Sequence, residues 1–320
     1  MIQYIAQRLL LNVVVLWVVA SLVFFTTDAL PGDYAIRQVS SQLETETDYD
    51  EAIRAAREEL GLDKPVWQRY LLFLGDLATL DFGTSFESNK STWSELARRL
   101  PTTLELGSMI VLVAFGTSIP IGVISAIKQN SWIDYSLRCF AIFGVAAPVF
   151  VTALVLTFIV LKFDLWTIDI IGDPHLWTDP GGALRLYAIP AVAGGVSAGA
   201  GIMRILRSQM LEVMRNDYIR TAFAKGLNPR DVWVRHALKN AMLPVLTAMG
   251  FAIAGIVGGQ IILENMYNID GVGHFLFSRL TERDLPPFQG TVILIASVVV
   301  TVNLCVDLTY AWLDPRIRYR

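Results

Sequence analysis

The side chains best placed to do chemistry in this sequence are basic, and they lie close together. Between positions 204 and 240 the chain carries eight basic residues against three acidic ones. The basic residues are Arg204, Arg207, Arg215, Arg220, Lys225, Arg230, Arg235 and Lys239. Such a cluster attracts an acidic protein surface or an anionic lipid leaflet. The chemistry that it indicates is therefore binding.

None of the usual catalytic patterns occurs in a sequence context that supports catalysis. Its nearest approach to a phosphate-binding loop, Gly83–Thr92, fails the glycine spacing that lets backbone N–H groups surround a phosphate. Gly195-Val196-Ser197-Ala198-Gly199 fits Gly-x-Ser-x-Gly, but it lies within a long stretch of small and apolar residues and not at a strand-to-helix turn, and His-Glu-x-x-His is not present. The histidines and cysteines have no metal-ligand spacing: His175, His236, His274, Cys139 and Cys305. We therefore predict no catalytic residue, no cofactor, no metal site and no disulfide.

The elements that must position the basic cluster are membrane helices. The chain has 320 residues, 54% hydrophobic and 17% charged, and its mean hydropathy is +0.49. About 20 apolar residues cross a bilayer as a helix, which satisfies its own backbone hydrogen bonds. Six stretches qualify: Leu9–Leu30, Thr102–Ile127, Cys139–Leu161, Ala188–Ile205, Ala241–Leu263 and Gln289–Trp312. The fourth is the weakest prediction, because its residues are small instead of strongly apolar.

The positions of Lys and Arg predict the orientation, since short basic loops stay in the cytoplasm. The loop at 204–240, the turn at 128–138 and the C-terminal tail are all basic, so both termini are predicted inside. The connections at 31–101, 162–187 and 264–288 then face outward. A cleavable signal peptide is the alternative interpretation of the first stretch, although residues 26–31 offer no small-x-small cleavage site.

The first outward connection predicts a small external domain. From Asp33 to Arg99 it carries 13 acidic and 8 basic residues. Its apolar residues recur at helical spacing: Leu60, Leu62, Val66, Trp67, Tyr70, Leu71, Phe73 and Leu74. The predicted organisation is a transmembrane helix over 1–30, an external domain over 31–101 and a five-helix core over 102–320.

The basic loop itself predicts a helical hairpin. Gly226 stands where a helix ends in a residue of positive φ, and Asn228 with Pro229 begins a second helix. In that second helix the predicted apolar arc is Trp233, Val234, Ala237, Leu238 and Ala241. An amphipathic linker lying on the inner leaflet is the alternative that periodicity and charge leave open.

Two further features of the predicted spans bear on function. Glu105 and Asp307 are the clearest ionisable residues within them, and each is either a functional group or a side chain at the membrane interface. Gly195 with Gly199, and Gly255 with Gly259, form GxxxG pairs that allow helices to approach closely.

The loop resembles the cytoplasmic coupling loop of ABC transporter permeases. Tyr218–Leu227, Arg235–Ala241 and Leu243–Pro244 are similar to the dipeptide/oligopeptide/nickel importer branch of that family. Other matching segments are Leu30–Asp33, Leu60–Pro65, Asp81–Ser85, Gly271–Gly273 and Trp312–Tyr319. Arg220-Thr221-Ala222 replaces the Glu-Ala-Ala of the general importer loop, which favours this branch over sugar or amino-acid importers.

The resemblance implies an all-α permease with six transmembrane helices in the plasma or inner membrane. It would form half of the translocation pathway of an ATP-driven importer for short peptides, nickel complexes or related small solutes. Implied partners are a second homologous permease, two ABC ATPase subunits, an external binding protein and the lipid membrane, with no nucleic acid. The implied ATPase-coupling residues are Arg220, Thr221, Ala222, Ala224, Lys225, Gly226, Leu227, Asn228, Pro229 and Arg230. The alternative is an ion-coupled secondary transporter, or another polytopic membrane protein without ATPase partners.

Overall fold

The fold is helical in the computed structural model, which describes residues 2–29, 54, 58, 63–167 and 174–313. The helices are α1 (Ile2–Asp28), α2 (Val66–Ala78), α3 (Thr92–Ile127), α4 (Trp132–Ala146), α5 (Val149–Lys162), α6 (Pro180–Met214), α7 (Asp217–Ala224), α8 (Pro229–Met266), α9 (Val272–Glu282) and α10 (Leu285–Leu313). In the described segments, extended pairing is limited to an isolated bridge between Thr84 and Ser91. The all-α prediction is confirmed.

The membrane-crossing helices agree with the predicted spans at five of six places. Among the described residues, five helices are long and apolar enough to cross a membrane. They are Ile5–Asp28 within α1, α3, α6, α8, and Leu285–Thr309 within α10. The weakly predicted fourth span is part of α6, which at 35 residues extends well beyond it at both ends.

The predicted third span, Cys139–Leu161, is not one helix. α4 ends at Ala146, α5 begins at Val149, and the two helices are bent by 113°. Pro148 lies at the break, because a proline lacks the N–H that would continue the helical ladder. The prediction of one continuous helix is wrong here, and α4 with α5 forms a bent pair that counts as at most one span.

The chain divides into two compact units. The first unit comprises residues 101–274 and 301–320, and the second comprises 2–100 and 275–300. The boundary falls within α3, α9 and α10. The predicted domain limits, at 30/31 and 101/102, rest on the expected sidedness of the chain and stay a prediction.

The first unit is organised around α6, which packs against α4, α5 and α8. Small residues allow α3 and α6 to approach closely, since a Cβ on Gly199 would lie 2.8 Å from the carbonyl oxygen of Ala114. The buried apolar residues between positions 183 and 193 of α6 belong to one cluster with Leu263 of α8. Ile202, Leu206 and Met210 belong to a second cluster, which includes Val232 and Ala237 of α8. The Gly195–Gly199 pair therefore acts as a packing motif between α3 and α6.

The second unit packs α2 on α1. The Ser21 and Tyr70 hydroxyls lie 2.6 Å apart, and Arg69 pairs with Asp28 at 2.6 Å. The apolar spacing predicted from Val66 onward corresponds to α2, whereas Leu60 and Leu62 lie outside the described residues. The turn before α10 is held by Asp284, which accepts a hydrogen bond from the Ser85 hydroxyl at 2.5 Å.

Candidate functional site

The basic loop forms the helical hairpin that its sequence predicts. α7 ends at Ala224, and Gly226 has a φ of +76°. The Gly226 N–H donates to the Phe223 carbonyl at 2.9 Å, and the Leu227 N–H donates to the Ala222 carbonyl at 3.3 Å. These two bonds satisfy the last carbonyls of α7 in the manner of a Schellman motif. The chain therefore reverses direction within a few residues.

α8 begins with the predicted cap. The Asn228 side-chain oxygen accepts a hydrogen bond from the Arg230 N–H at 3.1 Å, and Pro229 occupies the first turn. Asparagine at this position satisfies an N–H that has no helical partner, and the missing N–H of proline costs nothing there. From this cap α8 runs without interruption into the predicted fifth span.

The first turns of α8 differ from the predicted amphipathic arc. Val232–Leu238 is a π-helix, whose hydrogen bonds join residues five apart. Val232 and Ala237 are accordingly buried at a spacing of five, whereas Val234 is 49% exposed. The predicted apolar arc is therefore wrong at Val234, because it assumed the spacing of an α-helix.

The hairpin is fastened to the first unit by apolar side chains. Ile219 and Ala222 of α7 and Val232 and Ala237 of α8 belong to the cluster that contains the last turns of α6. The Asn240 amide also donates to the Tyr218 hydroxyl at 3.2 Å, which joins α8 to α7. The two arms of the hairpin therefore pack on the same apolar cluster, which we call the platform.

The ten residues implied for coupling lie together on this hairpin, and nine of them are exposed. Ala222 is the buried one, and it contributes to the platform. The surface is basic, and its ion pairs are open to solvent: Arg220 lies 3.7 Å from Asp217 and is 78% exposed. Surface pairs contribute little to stability, so this arrangement serves binding better than folding.

The same surface presents apolar side chains beside the charges. Phe223 and Leu227 flank the turn at Gly226, and both are 42% exposed. Exposed apolar residues ringed by polar ones are typical of a protein contact. The hairpin can therefore bind a partner through apolar burial combined with positive charge.

A buried ion pair near the hairpin was not predicted. The Asp134 carboxylate is fully buried and accepts two hydrogen bonds from the Arg207 guanidinium, at 2.8 and 2.7 Å. It also accepts one from the Ser125 hydroxyl at 2.6 Å. This pair ties the turn between α3 and α4 to α6. The one local signal is Ser131, whose hydroxyl accepts a hydrogen bond from the Asp134 N–H at 3.3 Å.

A second buried carboxylate lies at the other end of α8. Glu264 is fully buried and accepts hydrogen bonds from the Gly273 N–H at 2.7 Å and the His274 N–H at 3.0 Å. The Thr103 hydroxyl donates to it at 2.8 Å, and the Gln260 amide at 3.2 Å. Glu264 therefore caps the first turn of α9. The signal for this site in the sequence is the glycine-rich segment 271–273, because the Glu264 carboxylate occupies the space that a side chain at Gly271 would fill.

The predicted intramembrane acids have structural partners. Glu105 is buried, lies 3.0 Å from the His175 Nδ1, and accepts a hydrogen bond from the Leu176 N–H at 3.2 Å. Asp307 is half-buried on α10. Within the described part of the chain, no group of three His, Cys, Asp or Glu residues forms a metal site. Cys139 and Cys305 are free and exposed.

Comparison with known proteins gives similarities along the whole chain. The family described as “Binding-protein-dependent transport system inner membrane component” matches residues 118–319, and its N-terminal counterpart matches residues 1–107. The “Dipeptide transport system permease protein DppB” of Alkalihalophilus pseudofirmus is 35% identical, and that of Escherichia coli strain K12 is 34% identical. Both similarities cover 100% of this chain and 100% of the relative.

A solved structure shares the fold. The MetNI methionine ABC transporter, in an inward-facing conformation, superposes with a TM-score of 0.56 at 15% sequence identity. The superposition covers 69% of this chain and 96% of the other. At this identity the likeness extends to the arrangement of the helices alone.

Proposed function

This chain belongs to the family of binding-protein-dependent transport system inner membrane components, and we propose that its exposed hairpin couples it to separate ATPase subunits. It is a multi-pass inner-membrane permease subunit of an ABC importer. Membership of this family implies ATPase and substrate-binding partners. The proposed complex contains this permease, a second homologous permease, two ATPases and an external binding protein.

The observation that carries the proposal is the way the hairpin is built. Its exposed face combines basic residues with Phe223 and Leu227, while its buried face is packed onto the end of α6. A partner that moves this surface moves a packed platform instead of a flexible loop. An ATPase shifts a permease between states only through contacts that differ between those states. The hairpin offers such a contact.

The proposed cargo is a short peptide, because the similar proteins are named as dipeptide permeases. The proposed direction is uptake, with the hairpin in the cytoplasm and the 174–179 segment outside. The basic residues of 204–240 support this orientation. The sequence resemblance implies Arg220 to Arg230 without Phe223 as the coupling residues, and the proposed contact adds the exposed Phe223.

Reconstitution tests the function directly. The purified chain should hydrolyse no ATP by itself, because it has no phosphate-binding loop. In vesicles that also contain the second permease and both ATPases, the external binding protein with a dipeptide should stimulate hydrolysis and uptake. ATP hydrolysis by the rigorously purified chain would contradict the proposal. Dipeptide uptake driven by an ion gradient without the ATPases would instead support a secondary transporter.

Labelling in intact cells tests the orientation. A cysteine introduced at Asp179 should react with an impermeant thiol reagent added outside, and a cysteine at Asn228 should not. A cysteine at Asp50, which lies outside the described residues, should behave like the one at Asp179. Reaction of the Asn228 position from outside would reverse the assignment of the hairpin to the cytoplasm.

A further inference from the structure

A cavity of 530 Å³ lies in the second unit, between the last turns of α1, one side of α2 and the first turns of α10. Residues of the segment 81–86 close another side. Two polar contacts join the walls: the Gln289 amide donates to the Thr27 hydroxyl at 2.5 Å, and Arg69 pairs with Asp28 at 2.6 Å. The volume of this cavity is that of a site for a small molecule.

The cavity lies where two membrane crossings end. The apolar stretch of α1 that is long enough to cross a membrane stops at Asp28, and the corresponding stretch of α10 begins at Leu285. Asp28 and Leu285 both line the cavity. The cavity is therefore at the level of a membrane surface, and in the proposed orientation that surface is the outer one.

Helix α2 gives the cavity an apolar border. It packs on α1 near the end of the crossing, where the Tyr70 hydroxyl lies 2.6 Å from the Ser21 hydroxyl. Three apolar side chains of α2 are exposed, namely Trp67, Leu71 and Leu72, and Leu72 also lines the cavity. Exposed apolar side chains on a short helix at the end of a membrane crossing are typical of the lipid interface. A lipid can therefore reach the cavity from the bilayer.

The charges on α2 and its flanks are separated by sign. Arg69 and Asp76 both line the cavity from α2, seven positions apart, which is about 10 Å at 1.5 Å per residue. Lys64 precedes the helix at the Arg69 end. The Asp81 N–H donates to the Asp76 carbonyl at 2.8 Å, which holds Asp81 at the other end. The helix dipole disfavours a cation near the start and an acid near the end, so this arrangement suits a ligand with both charges better than it suits the helix.

Arg69 has a donor without a partner. Its Nη2 binds Asp28, but its Nε is buried and makes no hydrogen bond within the described part of the chain. A buried donor that lacks an acceptor is costly, and native proteins usually satisfy it with protein, water or a ligand. Phosphate oxygens match the adjacent donors of an arginine side chain. The unpaired Nε therefore indicates an anionic group bound beside Arg69.

We propose that this cavity binds a zwitterionic phospholipid of the outer leaflet, of the ethanolamine class. Its phosphate lies beside Lys64 and Arg69. Its ammonium group donates to Asp76 and Asp81, and its acyl chains pass Leu72 into the bilayer. The proposal adds a lipid site to a transport subunit, and the choice of leaflet alone rests on the proposed function.

The charges of the wall distinguish this headgroup from its alternatives. The described wall contains three carboxylates and two cations, so a ligand with its own positive charge is favoured over an anionic phosphatidylglycerol. Phosphatidylcholine carries a positive charge but has no N–H to donate to a carboxylate. Phosphatidylethanolamine supplies both the charge and the donors.

Native mass spectrometry of the full-length chain tests the proposal. The delipidated chain in detergent is titrated with short-chain phosphatidylethanolamine, phosphatidylcholine or phosphatidylglycerol. The unmodified chain should bind phosphatidylethanolamine about tenfold more tightly than either of the other two, the equivalent of about 1.4 kcal/mol. Asp76→Asn should remove the preference over phosphatidylcholine, because it removes the acceptor charge for the ammonium group. Lys64→Gln should weaken all three lipids by about fivefold, since all three contain the phosphate.

Two matched variants control for the loss of a surface charge. Asp63→Asn and Lys90→Gln make the same changes at exposed positions of the second unit that do not line the cavity. Both should leave the affinity for each lipid within about twofold of that of the unmodified chain. Lys64 and Asp76 are also exposed, so thermal unfolding of all four variants without lipid should match that of the unmodified chain.

Free phosphoethanolamine tests whether the ligand is a lipid. It should compete with short-chain phosphatidylethanolamine only at concentrations at least about tenfold higher, because it has no acyl chains to bury. Equal competition would reassign the cavity to a soluble zwitterion and overturn the lipid. A preference for phosphatidylethanolamine that survives Asp76→Asn, an equal loss in Asp63→Asn, or tighter binding of phosphatidylglycerol would overturn the site. These measurements use binding by the chain alone, so they stand whatever the transport experiment shows.

Discussion

Two turns of the first unit contain glycine for opposite reasons. At Gly226 the backbone has a φ of +76°, and an added Cβ would meet nothing within 4 Å. At Gly271 an added Cβ would lie 2.3 Å from the Glu264 carboxylate. The first turn requires a backbone conformation and the second requires empty space. A side chain introduced at Gly226 therefore strains the backbone of the hairpin locally, whereas a side chain introduced at Gly271 displaces the buried Glu264.

The difference between the turns matches their proposed roles. The hairpin is exposed and held by a few apolar side chains, as suits a surface that another subunit moves. The Glu264 site is closed, and its donors come from α3, α8 and α9. Damage to the Glu264 site should therefore appear as lost stability. Damage to the hairpin should appear as lost coupling in a folded protein.

The largest effect is expected from Gly271→Ala. The methyl group overlaps the Glu264 carboxylate, and moving that acid breaks its bonds to Gly273 and His274. The expected loss in the free energy of unfolding is about 3 kcal/mol, which should appear as a lower midpoint of thermal unfolding in detergent. Gly226→Ala makes the same chemical change in open space and should cost about 1 kcal/mol. Equal losses of stability in the two variants would remove the contrast between the turns.

The Asp134–Arg207 pair extends the comparison between buried and exposed sites, because Asp134 is a buried acid with a charged partner. Asp134→Ala leaves the Arg207 guanidinium, whose side chain is 18% exposed, without its carboxylate. The expected loss is about 2 kcal/mol in thermal unfolding. Asp231→Ala is the control, since its pair with Arg235 is exposed and should contribute less than about 1 kcal/mol. A loss at Asp231 as large as that at Asp134 would show that burial does not decide the cost.

The sequence predicted the features whose causes are local. Gly226, Asn228 and Pro229 each act on backbone groups within five residues, so their types and order were sufficient to place the hairpin turn. The long apolar stretches likewise located five crossings, because hydrophobic length is a property of the segment itself. Pro148 was a local signal for the helix break that the hydropathy pattern concealed.

The features that were missed depend on distant residues. Glu264 lies just beyond a predicted span, and its partner Thr103 is 161 positions away. Asp134 and Arg207 are 73 positions apart. The π-helix at Val232–Leu238 depends on how α8 packs against the platform, which a single-helix pattern does not contain. Pairing and register across the unit therefore required the structure.

A smaller effect on stability, with a large effect on transport, is expected from Gly226→Val. Positive φ in a β-branched residue should cost about 1–2 kcal/mol locally, without disturbing the transmembrane helices. In reconstituted vesicles the ATPases should bind weakly or hydrolyse ATP without dipeptide uptake. Gly226→Ala should be milder, because alanine lacks the branch. Unchanged uptake per assembled complex would show that the hairpin is an ordinary linker.

The smallest effect on stability is expected from Arg220→Glu, which tests the role of positive charge on the exposed surface of the hairpin. Arg220 is 78% exposed and its pair with Asp217 is open to solvent, so thermal unfolding should not change measurably. Docking of the ATPases should weaken at low salt, because the change inverts a charge on the proposed contact surface. The deficit should shrink as salt is raised, since the Debye length falls from about 10 Å at 0.1 M to about 3 Å at 1 M. Arg235→Glu is the matched control, because Arg235 is 79% exposed and lies outside the proposed contact. A salt-independent deficit, or an equal deficit at Arg235, would place the charged contact elsewhere on the hairpin and leave Gly226 as a conformational requirement alone.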